Sequence, residues 1–318
     1  MSVIDTIIQR AKTAPRHIVL PEGEDDRIVE ASIRAVQSGI AQITLLGNED
    51  VIRQKCRMAG AFDERVSIID IGKLADQDNP VADLRIANEM VKRGEADGSL
   101  AGAVHNTGDV LRSALKIIGL APKSKIVSSF FLMQVPIDQP LTKRNLIFAD
   151  CAIRVDPNAV QLAEIAATAA DNFRALQDQE PCIAFLSFAT LNSASHASLE
   201  KIKKAVALLR EQRPELSADG PLQFDAAFAP EVGLSKAPGS SVAGQANIYI
   251  FPDLNAGNIA YKVAERMGGA QAIGPILQGL AKPANDLSRG CDSDAVYNMI
   301  AVTVLQALSL EQLSKSHK

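Results

Sequence analysis

Tryptophan is absent, and aromatic residues make up only 4% of the chain. Platforms for stacking bases or sugars are therefore hard to build. Cysteine is scarce. Cys56, Cys151, Cys182 and Cys291 form no Cys-x-x-Cys pair, and none has a histidine at ligand spacing. A zinc site is disfavoured, and reduced thiols of a cytosolic protein are the simpler reading. Excess positive charge is also missing: 33 Lys and Arg stand against 37 Asp and Glu, a net charge of −4. This argues against a nucleic-acid surface or a polybasic membrane patch, so an anionic substrate needs a local basic pocket. No apolar run reads as long enough to cross a bilayer. Met1 to Arg16 read as a short amphipathic helix rather than a signal peptide. The expected location is the cytoplasm, with no membrane or nucleic-acid partner.

Several nucleotide and nucleophile motifs are missing too. No Gly-x-Gly-x-x-Gly follows a strand, which weakly disfavours a dinucleotide cofactor. There is no Gly-x-x-x-x-Gly-Lys-Ser/Thr loop and no Gly-x-Ser-x-Gly elbow. Gly/Ser linkers, low-complexity tracts and internal repeats are not found. Pro136–Arg144 is the best-marked loop.

What is present is alternation. With 318 residues, two domains are the default. Candidate strands are His17–Glu22, Ala41–Gly47, Val66–Asp70, Gly98–Val104, Lys125–Val135, Asn145–Asp150, Cys182–Ser187, Pro221–Ala227, Ala246–Asp253 and Gln271–Leu277. Most are apolar with little alternation, as strands buried on both faces should be. Helical periodicity runs through Asp26–Gly39, Asn158–Gln177, Leu199–Leu216, Asn255–Gly268 and Asp292–Leu310. The expected class is α/β with mainly parallel sheets.

Ligands of open α/β sheets bind beyond the carboxyl ends of strands, so the strand-to-helix turns are the places to look. In Ala101–Arg112, Asn106, Thr107 or Asp109 can cap a helix that carries Arg112 in its first turns. A helix start attracts anions, and a cation there opposes the macrodipole unless an anion answers it. Arg112 is thus either a phosphate ligand or an exposed surface residue. Asn285-Asp-Leu-Ser-Arg-Gly-Cys291 reads as a flexible polar segment before the last helix. Ser288 offers a hydroxyl and Arg289 a planar fork suited to phosphate. Equally, the segment is a capping loop with Ser288 as its N-cap. In Phe251–Lys262, Asn255 is a candidate N-cap, and Lys262 either reaches a diphosphate or is solvated. The hydroxyl-rich Ser187–Ser195 either binds an oxyanion or makes a turn. His105 is the one histidine near a candidate site, and it reads equally as a satisfied strand-end residue.

Taken in order, these segments resemble the phosphate acetyltransferase family, which includes the phosphate butyryltransferases. The likeness covers nearly the whole chain. It runs through Leu20-Pro-Glu-Gly-Glu-Asp-Asp-Arg27, Ala101–Arg112, Lys125–Phe131, Phe148-Ala-Asp-Cys151, Asp219–Ala226, Ser235–Gly244, Ile250–Lys262, Gly274–Lys282 and Asn285–Gly290. The resemblance implies two α/β domains, residues 1–122 with 276–318 and residues 123–275, and an active-site cleft between them. It also implies a homodimer, no metal, and coenzyme A as substrate with no tightly bound cofactor. The implied reaction is reversible acetyl transfer between coenzyme A and phosphate. Ser288, Arg289, Arg112 and Asp294 are the expected catalytic residues. Thr107, Ser128, Asn255, Lys262, Gln278 and Asp286 are the expected substrate contacts.

Three departures from the family stand out. An Arg in a Glu-Leu-Arg stretch has no clear counterpart, with Arg85 a candidate only. Ala295 occupies the usual acidic position in the last helix, with Asp294 beside it. The hydroxyl-rich loop carries Ala189 and Asn192, and Asn tolerates positive φ. Competing readings are a longer-chain phosphate acyltransferase, a degenerate acetyl-CoA or acetyl phosphate sensor, and a dehydrogenase on a similar fold.

Overall fold

The structure is a computed structural model that describes residues 2–59, 65–73, 79–135, 145–177 and 179–316. The expected loop Pro136–Arg144 lies outside them. The chain divides into two compact units, Met1–Lys125 with Leu280–Lys318, and Ile126–Gly279.

Unit one begins with α1 (Val3–Thr13), β1 (Arg16–Leu20), α2 (Asp26–Gln37), β2 (Ala41–Gly47) and α3 (Glu49–Met58). β3 (Val66–Asp70), α4 (Ala82–Arg93), β4 (Gly98–Ala101) and α5 (Thr107–Ile117) follow. Unit two holds β5 (Ser128–Gln134), β6 (Leu146–Ala149), α6 (Ala159–Gln177), β7 (Cys182–Leu186), α7 (Ala197–Gln212) and β8 (Ser217–Leu222). It continues through α8 (Phe224–Phe228), α9 (Pro230–Lys236), β9 (Ile248–Ile250), α10 (Leu254–Arg266) and β10 (Gln271–Gln278). The chain then returns to unit one as β11 (Ala284–Asp286) and α11 (Ser293–Ser316).

The sheet of unit one has the order β11-β4-β1-β2-β3, and every pairing in it is parallel. β1 explains why. Ile18, Val19 and Leu20 are successive residues that point to opposite faces, and all are fully buried. Both faces must then be covered by helices, as in parallel sheets. α4 packs on β1 and β4, while α11 packs on α1, α2, β1 and β4. Each such burial is worth about 2 kcal/mol. α11 also revises the reading of apolar runs. Ser293–Gln312 has the length and composition of a membrane span, yet 67% of it is buried within the protein, as a core helix would be.

The six strands of unit two run β10-β5-β6-β9-β7-β8. β10–β5 and β5–β6 are antiparallel, and the other three pairings are parallel. Both sheets are therefore mainly or wholly parallel, as expected for the α/β class. Phe131, Phe148, Tyr249 and Phe251 form its aromatic core, with Phe148 edge-on to both Tyr249 and Phe251. The strand expected over Pro221–Ala227 is displaced: β8 ends at Leu222, and Phe224–Phe228 is a short helix. β8 is an edge strand paired only with β7, where a proline without an N–H is tolerated. A further strand, β11, occupies residues read from sequence as flexible. Ala284, Asn285 and Asp286 carry no periodic signal, and pairing with β4 makes them a strand.

Candidate functional site

In unit one, β1, β2 and β3 run outward in one direction, and β4 and β11 lie on the other side of β1. This reversal is the kind of switch point at which open α/β sheets bind ligands. β4 and β11 are parallel neighbours with Asp286 opposite Ala101, so their following turns leave the sheet at the same end. One turn leads to Arg112 and the other to Ser288 and Arg289.

The turn after β4 is organised by Glu22, which is itself buried. Its carboxylate accepts the N–H groups of Gly102 (3.0 Å), Ala103 (2.8 Å), Val104 (3.0 Å) and His105 (2.8 Å). Convergent amides of this kind form an anion-binding nest. Here the protein's own carboxylate fills it, so a bound phosphate does not have these four amides. Asn106 then caps α5, its Oδ1 accepting from Asp109 N at 3.0 Å. Arg112 is exposed and donates to the Asp109 carboxylate at 2.5 Å. An anion of the protein itself thus answers this cation: a side chain one turn earlier supplies it.

Thr107 Oγ1 donates to Asp286 Oδ2 at 2.6 Å, which links the start of α5 to the end of β11. Asp286 is 1% exposed, and its Oδ1 has no hydrogen-bond partner among the described residues. Burial pushes its carboxyl up to about 6, against the lowering effect of the Thr107 bond. The close fit requires a glycine at position 102. A Cβ there would lie 2.3 Å from Asp286 Oδ1 and 2.6 Å from Leu287 N, and Gly102 has φ +107°.

Ser288 and Arg289 follow on an exposed turn. Ser288 Oγ accepts from Gly290 N at 3.3 Å, and Ser288 O accepts from Cys291 N at 2.9 Å. Ser288 is not the cap of α11. Asp292 is, accepting from Ala295 N at 2.8 Å. Asp294 is exposed and pairs with Arg34 at 2.5 Å, whose guanidinium lies 4.4 Å from the Tyr297 ring centre. Arg85 lies in α4 and pairs with Glu89 at 2.9 Å.

A cleft of about 380 Å³ opens beside these turns, lined by Glu22, Glu24, Asp25, Asp83, Val104 and His105 among others. His105 Nε2 lies 2.7 Å from Asp83 Oδ2, and this partner raises the histidine pKa. The acidic lining is poorly suited to an anion, and Arg112, Ser288 and Arg289 are not part of it. Among the described residues, no group of three or more His, Cys, Asp or Glu side chains is arranged to hold a metal ion.

Unit two holds the other expected contacts. Asn255 and Lys262 are exposed on α10. The N-cap of that helix is Asp253, accepting from Ala256 N at 3.0 Å, rather than Asn255. Ser128 and Gln278 are a buried cross-strand pair. Gln278 Nε2 donates to Ser128 Oγ at 2.9 Å and to Ile165 O at 3.2 Å. Their polar groups serve the join between β5 and β10. In the hydroxyl-rich loop, Thr190 N donates to Ser193 Oγ at 3.1 Å, so these hydroxyls build a turn. Leu191, rather than Asn192, takes the positive φ of 52°.

Sequence reading named no role for Glu22, Arg27 or Asp150. Asp150 resembles Glu22 in kind: its buried carboxylate accepts from the N–H groups of Ser129, Ala152, Ile153 and Arg154. The available signal was charge placed directly after an apolar strand, in Glu22-Gly-Glu-Asp-Asp-Arg27 and in Asp150.

Comparison with known proteins agrees with this architecture. The family model described as Phosphate acetyl/butaryl transferase matches residues 2–84 and 75–304. A phosphate acetyltransferase of Acetivibrio thermocellus is 45% identical over 330 residues, covering 96% of this chain and 98% of that protein. One from Paracoccus denitrificans is 44% identical over 322 residues, covering 96% and 99%. The crystal structure of a phosphotransacetylase from Streptococcus pyogenes superposes with a TM-score of 0.88 at 38% identity, covering 96% and 98% of the two chains. With its two α/β units and a match along nearly its whole length, the chain belongs to the phosphate acetyl/butaryl transferase family.

Proposed function

We propose that the protein is a phosphate acetyltransferase, an enzyme that moves an acetyl group reversibly between coenzyme A and phosphate. The 45% identity to a phosphate acetyltransferase across almost the full length of both chains carries this reading. The reading is supported by the adjacent β4 and β11, which are followed by Arg112 on α5 and by the turn with Ser288 and Arg289.

In the direction that forms acetyl-CoA, the thiolate of coenzyme A attacks the carbonyl carbon of acetyl phosphate. A carbon–sulfur bond forms, the carbon–oxygen bond to phosphorus breaks, and phosphate leaves with the electron pair. No acyl-enzyme is required. Arg289 and Arg112 are assigned to the phosphate groups of the substrates, because a planar fork binds two oxygens at once. Arg112 would exchange its Asp109 partner for substrate, a small cost for an exposed ion pair. Ser288 is assigned a hydrogen bond to the thiol or to the oxyanion formed at the carbonyl. One such contact is worth about 3 kcal/mol of barrier. Holding two reactants together contributes more, about 7–11 kcal/mol.

Asp294, whose exposed carboxylate pairs with Arg34, is given no proton to carry, because the thiol needs no base to ionise in part. A thiol with a pKa of about 8.5 supplies some thiolate unaided at neutral pH. Thr107 and Asp286 set the turns, Ser128 and Gln278 serve the sheet, and Asn255 and Lys262 remain candidate contacts for coenzyme A. Cytoplasmic location, a homodimer and the absence of a tightly bound cofactor complete the proposal. Phosphate-dependent loss of acetyl-CoA by the purified protein tests it. No loss above the phosphate-free control would reject it in favour of a sensor. Faster turnover of butyryl-CoA than acetyl-CoA would move the assignment to a longer chain.

A further inference from the structure

Arg27 makes more connections than a helix-start arginine needs. It lies in the first turn of α2, after the acidic run that follows β1. Its Nε and Nη2 donate to the two oxygens of Asp25 at 2.9 and 2.8 Å. Nη2 also donates to Ala103 O at 2.8 Å, in the turn whose amides bind Glu22. Nη1 donates to Arg289 O at 2.8 Å and to Cys291 O at 2.9 Å. A single planar group thus joins three chain segments: the β1–α2 turn, the β4–α5 turn and the turn that bears Ser288 and Arg289.

We infer that Arg27 is a positioning residue for the reaction, holding the Ser288–Cys291 turn by its carbonyls so that Ser288 and Arg289 present their side chains correctly. The inference rests on the proposed acyl transfer at that turn. The turn has little else to fix it. Ser288, Arg289 and Gly290 are exposed, and the hydrogen bonds within it are short-range. One group must donate to its two carbonyls through Nη1 and at the same time to Asp25 and Ala103 O through Nε and Nη2. A guanidinium meets this geometry, and an ammonium on a flexible stem does not. Asp25, which is also the N-cap of α2, fixes the guanidinium plane from the opposite side. Charge alone is therefore not the requirement. The requirement is shape.

The test uses Arg27→Lys and Arg27→Ala in the full chain, with two readouts. The first is turnover of acetyl-CoA with phosphate. A displacement near 1 Å at reacting groups costs about 10²-fold, so Arg27→Ala is expected to lose about that much in kcat/KM, and Arg27→Lys nearly as much. Guanidinium chloride at low, non-denaturing concentration should restore Arg27→Ala several-fold, and methylammonium chloride should not. The second readout is independent of activity. Cys291 is partly buried, and its Sγ lies 3.9 Å from Arg27 Nη1. Its labelling by a thiol reagent, followed by mass spectrometry, should speed up several-fold in both variants. Labelling of Cys182, in unit two, should stay at the wild-type rate. Wild-type activity in Arg27→Lys, or loss in Arg27→Ala without guanidinium rescue, overturns the inference. So does unchanged Cys291 labelling. If Arg27→Ala does not fold, Arg27→Lys decides by the same two readouts. An inactive wild type would reject the acyl-transfer reading instead, and the labelling would still show whether Arg27 holds the turn.

Discussion

Thr107 and Asp286, 179 positions apart in sequence, meet through a 2.6 Å hydrogen bond that ties the start of α5 to the end of β11. The bond joins the two turns of the proposed site. It also buries a carboxyl whose second oxygen has no partner among the described residues.

That carboxyl makes stability depend on pH. Burial raises the Asp286 pKa from 3.8 to about 6, with Glu22 adding to the rise and Arg289 opposing it. The folded state therefore holds the proton more tightly than the unfolded chain. Its favourable contribution is complete below about pH 4 and is lost as pH climbs to about 6, a change of about 3 kcal/mol. Asp286→Asn removes this titration. Urea unfolding of both proteins should show the variant gaining about that much on the wild type between about pH 3 and about pH 7.5. A difference independent of pH would show that Asp286 does not titrate in this range.

Gly102→Ala should be severely destabilising. The added methyl would meet Asp286 Oδ1 at 2.3 Å and backbone at 2.6 Å, and φ is +107°. Strain and overpacking together are expected to cost about 3 kcal/mol or more. Glu22→Gln should cost a similar amount, about 3 kcal/mol, because an amide NH2 would face N–H groups now bound to a carboxylate. Denaturant midpoints at constant m-value check both.

Arg289→Lys and Arg112→Lys should fold normally, because both side chains are exposed. Each should lose about 10²-fold in kcat/KM if the planar fork orients a phosphate group. Phosphate should raise the melting temperature of the wild type more than that of either variant. Full activity in both Arg112→Ala and Arg289→Ala would place the chemistry elsewhere.

Asp294→Asn should leave the pH–rate profile unchanged and cost under about 1 kcal/mol of stability, the worth of an exposed pair with Arg34. Ala295→Asp is the complementary change, at the position where the family resemblance expects an acid. It should raise turnover at pH 7 by about 10²-fold, and by less as pH passes the thiol pKa of about 8.5. An unchanged rate in Ala295→Asp, with a lowered rate in Asp294→Asn, would make Asp294 the base.

Much of this protein could be read from local composition. The buried strands β1, β2 and β7 are rich in apolar residues with little alternation, and the face of α2 repeats at helical spacing, so both were legible. The motifs after β4 and around Ser288 were also visible, because Asn, Thr, Ser, Arg and Gly at a strand end have few other uses. Partnership was not visible. Arg112 read as a cation without an answer until Asp109 was seen beside it, and Asp294 read as a free acid until Arg34 was. Ser128 and Gln278 read as ligand contacts, yet the pairing of β5 with β10 closes them onto each other. β11 had no signal at all, since Ala284, Asn285 and Asp286 become a strand only beside β4. Sequence determined class, order of elements and the chemistry available, because those follow from periodicity and residue type over short spans. Tertiary structure decided which charges are already paired. It also decided that Glu22 rather than a ligand fills the amides of Gly102–His105, and that Arg27 reaches Arg289 across 262 residues. Such contacts depend on strand order in the sheet, which no local stretch of sequence encodes.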